Sequence, residues 1–130
     1  MKYLAIDYGK SHIGLAQAEG YVAEPLGELV NNEKILIKLK EIIDKNKTET
    51  IVIGISEGKQ AEETRKFGEV LRKFANTTVV YYDETLSSEI AKRGMIMTGK
   101  PKLRRQKEDH CVAAALILQN YLEQKGGYYA

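Results

Sequence analysis

The alternation of apolar and polar positions divides the chain into short strands and longer helices. Met1 to Asp7 reads as a strand with the run Leu4-Ala5-Ile6 and an acid at its end. Tyr8-Gly9-Lys10-Ser11 has turn chemistry, because Gly9 tolerates backbone conformations closed to other residues. Ile13 to Ala18 resumes as a second strand and closes a hairpin, and a third strand is expected near Tyr21 to Val30. Pro25 within it is tolerable if that strand lies on an edge. Asn31 or Asn32 is expected to cap a helix over Glu33 to Asn46, whose apolar stripe is Ile35, Leu36, Leu39, Ile42 and Ile43.

Thr50 to Ile55 is β-branched and apolar, a pattern that suits a strand covered on both faces. Ser56-Glu57-Gly58-Lys59 reads as a loop, followed by a helix from Gln60 to Ala75 with Phe67, Val70, Leu71 and Phe74 inward. Thr77 to Tyr82 is a further strand ending at Asp83-Glu84. Thr85-Leu86-Ser87-Ser88-Glu89 opens a helix through Met97, Thr98 to Lys107 reads as an exposed loop, and Glu108 to Gln124 is the last helix.

Three early strands followed by alternating helix and strand predict an α/β mixed sheet. It should have an antiparallel start, then parallel strands, and helices on both faces. Right-handed crossovers set the strands beginning at Lys2, Thr50 and Thr77 side by side. Functional groups in such sheets gather at the carboxyl ends of the strands. Two such ends carry acids, Asp7 and the Asp83-Glu84 pair.

Composition adds bounds. The 130 residues are expected to form one domain over 1–130, and 43% hydrophobic residues suffice for a core. A net charge of +2 does not mark a nucleic-acid binder, so such a reading depends on where the charges sit. Cys111 is the only cysteine, which excludes an internal disulfide and fits a reducing compartment. It lies in an apolar run, where a packed, inert thiol is expected. No stretch has signal or membrane length, and the expectation is a cytoplasmic protein without membrane contact.

Four blocks carry a resemblance. Ile6-Asp7-Tyr8-Gly9-Lys10-Ser11-His12-Ile13-Gly14-Leu15-Ala16 resembles the opening motif of the YqgF/RuvX family, within the ribonuclease H-like superfamily. Ile51-Val52-Ile53-Gly54-Ile55 resembles its second signature strand, and Tyr82-Asp83-Glu84-Thr85-Leu86-Ser87-Ser88-Glu89-Ile90-Ala91 its third motif. Ala113-Ala114-Ala115-Leu116-Ile117-Leu118-Gln119-Asn120-Tyr121-Leu122 resembles the family's last helix. The blocks occur in the family's order and span nearly the whole chain.

The resemblance implies a metal-dependent nuclease, with Mg²⁺ or Mn²⁺ held by Asp7, Glu84 and a third group from the last helix. Two-metal phosphodiester cleavage needs hard oxygen donors that hold the ions about 3.5–4 Å apart. Asp83 and Glu84 are adjacent, so on a regular strand only one can easily reach the site. The family implies Glu84 as ligand and Asp83 in a supporting role.

Three departures stand out. The family's third acid precedes the small-residue run of the last helix. Counting back from Leu118-Gln119 puts His110 at that position and Asp109 one residue earlier. Either Asp109 is the ligand after a slip, or His110 replaces it, shifting preference from Mg²⁺ toward Mn²⁺. A neutral His110 is also able to shuttle a proton. Thr85 stands where the family usually has a basic residue, and the loop after Gly54 is shorter than the family's.

Lys100, Lys102, Arg104, Arg105 and Lys107 place five cations in eight residues beside the proposed site. They read as a clamp for a phosphate backbone, with Lys10 and His12 of the first hairpin adding to the same surface. A solvated charged loop is the plainer reading.

The family is linked to processing of precursor 16S ribosomal RNA and to resolution of Holliday junctions. Junction resolution implies a symmetric dimer. With no dimer stripe evident, a monomer acting on structured RNA is expected, branched DNA being the alternative. A non-catalytic nucleic-acid-binding module with a decayed site is a further reading, since His110 interrupts the acid set. Nucleotide phosphotransfer of the actin-like kind would need well over twice this length.

Overall fold

In a strand, alternate side chains point to opposite faces, and that rule organises this molecule. The computed structural model describes residues 1–55, 58–83 and 102–124; for Lys59 and for residues 102–109 it describes the backbone alone. The elements are β1 (Lys2–Tyr8), β2 (His12–Glu19), β3 (Ala23–Val30), α1 (Ile35–Asn46), β4 (Thr50–Ile55), α2 (Lys59–Ala75), β5 (Thr78–Asp83) and α3 (Lys102–Gln124). The five strands form one sheet in the order β3-β2-β1-β4-β5. β1 pairs antiparallel with β2, β2 antiparallel with β3, and the β1–β4 and β4–β5 pairs are parallel.

Leu4 and Ile6 of β1, Ile13 and Leu15 of β2, and Ile51 and Ile53 of β4 share one face. There they meet Ile35, Leu39 and Ile43 of α1 and Leu71 and Ala75 of α2. The intervening residues Tyr3, Ala5, Ala16, Ala18, Val52 and Tyr82 face the other way and pack on Ala114, Ile117, Leu118 and Leu122 of α3. β4 is buried throughout, as its unbroken apolar run predicts. Each fully buried Leu or Ile contributes about 1.5–3 kcal/mol relative to exposure.

β3 is an edge strand, which accommodates Pro25. Its register with β2 shifts between Leu15 and Ala16, where Leu15 pairs with Gly27 and Ala16 with Pro25, so Leu26 is the extra residue of a bulge.

Three expectations need correction. Neither Asn31 nor Asn32 caps α1, which begins at Ile35. Asn32 instead accepts the Lys34 N–H at 3.0 Å, a local turn that delays the helix. Val70 and Phe74 are exposed at 51% and 44%. The inward stripe of α2 runs through Thr64, Phe67, Gly68, Leu71 and Ala75, because small residues there let the helix approach the sheet. A Cβ at Gly68 would meet the Tyr81 ring. Finally, residues 102–107 are helical rather than a loop, since Lys, Leu, Arg and Gln are all good helix formers. The helix expected over 85–97 lies outside the described residues.

Candidate active site

Asp7 shares the parity of Tyr3 and Ala5, so it projects from the carboxyl end of β1 onto the α3 face. There α3 delivers His110. The Asp7 Oδ2 lies 3.0 Å from the His110 Nδ1, with the carboxylate side chain 12% exposed and the imidazole 41%. A buried acid thus sits beneath a half-open ring. A carboxylate withdrawn from water requires such a partner, because unpaired burial is costly. With Asp7 ionised, His110 donates its Nδ1 proton to it, and in the neutral form of the ring Nε2 keeps its lone pair.

Two glycines frame the contact. A Cβ at Gly14 would overlap the backbone carbonyl of His110, and one at Gly9 would lie 3.2 Å from the His110 Cε1. The turn that follows Asp7 is held from β3's end. Asn31 donates its side-chain amide to the Gly9 carbonyl at 2.8 Å, and its backbone N–H to the Ser11 carbonyl at 2.8 Å. Gln119, lower on α3, bridges the opposite end of the sheet. Its Oε1 accepts from the Ala23 N–H and its Nε2 donates to the Tyr21 carbonyl, both at 2.9 Å.

Of the residues expected to act together, the structure brings Asp7 and His110 into contact. Lys10 and His12 are exposed in and beside the turn next to Asp7, and Lys10 approaches Glu63 at 3.9 Å. An exposed pair of that length contributes little. Asp83 ends β5 on the parity of Val79 and Tyr81, facing away from the Asp7 side. Glu84 and Lys100 lie outside the described residues, as do the side chains of Asp109, Lys102, Arg104, Arg105 and Lys107. Among the described residues no group of three or more His, Cys, Asp or Glu could hold a metal. The two donors in contact, a carboxylate and an imidazole, suit a divalent ion of the Mg²⁺ to Mn²⁺ range.

Cys111 is buried, as its apolar surroundings in sequence imply. On the opposite face, burial pushes the Tyr81 hydroxyl pKa up, helped by the nearby Glu69 charge. Arg72 hydrogen-bonds Glu69 and holds its carboxyl below the usual range. The roles of Gly14, Asn31 and Gln119 escape sequence reasoning. An isolated glycine in an apolar strand was the one available signal, since it often marks a close backbone approach. Among the described residues, no helix is long and apolar enough to cross a membrane.

A model of the family described as "RuvX: Holliday junction resolvase" matches residues 1–124. A protein of Fusobacterium nucleatum named "Putative pre-16S rRNA nuclease" is 34% identical, covering 95% of this chain and 98% of its own. One of the same name from Agathobacter rectalis is 31% identical over 95% of each chain. Among solved structures, T. thermophilus RuvC in complex with a Holliday junction substrate superposes with a TM-score of 0.69. It is 14% identical and covers 98% of this chain and 96% of its own, a likeness of fold. The fold is a ribonuclease H-like mixed sheet, and the chain belongs to the RuvX family.

Proposed function

We propose that the chain is a nuclease hydrolysing phosphodiester bonds, acting in maturation of precursor 16S ribosomal RNA. The observation that carries this reading is the buried Asp7 at the carboxyl end of β1, in contact with His110 of α3. The names of the full-length relatives support the substrate.

Asp7, Glu84 and His110 are the proposed metal-holding set. Strand alternation supports Glu84 over Asp83, because Asp83 falls on the face away from Asp7. The contact with Asp7 favours His110 over Asp109 as the third group. Bound Mg²⁺ or Mn²⁺ would activate the attacking water and neutralise charge on the leaving oxygen. Asp7 orients the imidazole through Nδ1, so that Nε2 is presented in a fixed direction, either as a donor to the ion or to take up a proton. The cations Lys102, Arg104, Arg105 and Lys107 on α3, with Lys100, Lys10 and His12, form the proposed phosphate-backbone contact.

The test is incubation of the pure protein with a precursor 16S rRNA fragment, a four-way DNA junction and single strands, under Mg²⁺ and Mn²⁺ separately. Metal-dependent cutting of the precursor RNA near its mature 5′ end is expected, and Asp7→Asn should abolish it. Symmetric cutting of the junction alone would favour the resolvase reading, with a dimer required. Tight binding without cutting of any substrate would favour the non-catalytic one. His110→Asp should move the metal preference toward Mg²⁺, since a hard oxygen replaces nitrogen. If Asp109 holds the metal instead, Asp109→Asn abolishes cutting and His110→Ala leaves most of it.

A further inference from the structure

We propose that Gly14 is a positioning residue of the reaction centre, seating the His110 end of α3 so that its ring meets Asp7. Gly14 pairs directly with Asp7 across the β1–β2 ladder. Directly paired residues project from the same face, so a side chain at 14 would stand beside the Asp7 carboxylate. That space belongs to α3. A Cβ there would overlap the His110 carbonyl group and lie 2.6 Å from the Cys111 nitrogen. These are helix backbone atoms, which cannot yield as a flexible side chain would.

Backbone conformation does not explain the glycine. Gly20, Gly27 and Gly58 have positive φ angles, whereas Gly14 does not. A glycine inside a strand also weakens that strand relative to alanine. The close passage of α3 is the feature that needs it. Farther along the same face β2 carries Ala16 and Ala18, both buried under α3, so the helix follows a shallow track that is deepest at Gly14. A Cβ at Gly9 would meet the His12 carbonyl oxygen at 2.5 Å and come within 3.2 Å of the ring. The 3.0 Å Asp7–His110 hydrogen bond is short-ranged, and lifting the helix by about 1 Å breaks it.

The inference rests on the reading of the Asp7–His110 edge as the reaction centre, and its test separates the two. Gly14→Ala is compared with the unchanged protein by thermal melting, by cleavage of the precursor RNA fragment and by NMR of the imidazole rings. The chain has 2 histidines, so His110→Ala assigns both rings, and exposed His12 serves as an internal standard. In Gly14→Ala the His110 ring signal should move toward that of His12, and cleavage should fall on the order of a hundredfold. In the His110→Ala background, Gly14→Ala should still lower the melting temperature but cost no further rate. An unmoved His110 signal, or the same fold-loss of rate in both backgrounds, overturns the proposal. If Gly14→Ala does not fold, Ala16→Val lifts the helix more gently from the same track. It should then move the His110 signal in the same direction, and no movement is again the overturning result. Full cleavage by His110→Ala sinks the catalytic reading of that residue, while the ring signal still judges Gly14.

Discussion

The two faces of the sheet are built from different materials. Under α1 and α2, β1, β2 and β4 present Leu4, Ile6, Ile13, Leu15, Ile51 and Ile53, all large and buried. Under α3, the same strands present Tyr3 at the end far from the site and then the smaller Ala5, Gly14, Ala16, Ala18 and Val52, and this face ends in Asp7 and His110. Large side chains bury much area and give the first face most of its stabilising free energy. Small ones bring backbones close, and the second face uses that closeness to fix a polar contact at the strand ends. Stability and geometry are thus drawn from opposite sides of one sheet.

Substitutions can break or sharpen that contrast. The largest effect is expected on the small-residue face. Asp7→Asn should lower the cleavage rate on the order of a thousandfold, about 4 kcal/mol of barrier, while the melting temperature stays level. On the bulky face, Ile53→Ala should cost about 2–5 kcal/mol of stability in urea unfolding. The rate per folded molecule should not change. Ala114→Leu sharpens the comparison, because it adds volume where α3 meets the sheet. It should cost about 1–3 kcal/mol and, unlike Ile53→Ala, also slow cleavage by the folded protein. If the two core changes affect rate alike, the division between faces is wrong. Gln119→Ala removes two hydrogen bonds at the far end and should cost about 1–2 kcal/mol, read as faster hydrogen exchange at the Ala23 amide with cleavage intact.

The smallest effect concerns pH. The Tyr81 pKa is raised in the folded chain, so its contribution is fully present below the ordinary tyrosine range. It is lost as pH rises through the folded value. Urea midpoints should therefore decline in alkali, and Tyr81→Phe should flatten that decline.

Strand identity, sheet order and the edge position of β3 were legible because alternation, an unbroken apolar run and Pro25 each report a local environment. Asp7 was legible as an acid at a strand end. What escaped was set by helix approach. Val70 and Phe74 fit an apolar stripe by spacing, yet Thr64 and Gly68 face inward because α2 lies close to Tyr81. The cations of 102–107 suggested a solvated loop, yet charge does not prevent helix when every residue favours it. Asn32 promised a helix cap and made a turn instead. The Asp7–His110 contact itself joins residues whose adjacency no local pattern encodes; only a resemblance to other chains placed them together.

That contact spans 103 positions. The β1–β2 hairpin and β3 pair with near neighbours and are able to form early, whereas His110 closes one of the longest loops in the chain. During synthesis Asp7 emerges long before its partner exists. A growing chain therefore carries Asp7 without His110, and the contact is completed only when α3 docks. Assembly of this contact is coupled to synthesis of α3, so partial products ending before His110 lack it whatever strands they have formed.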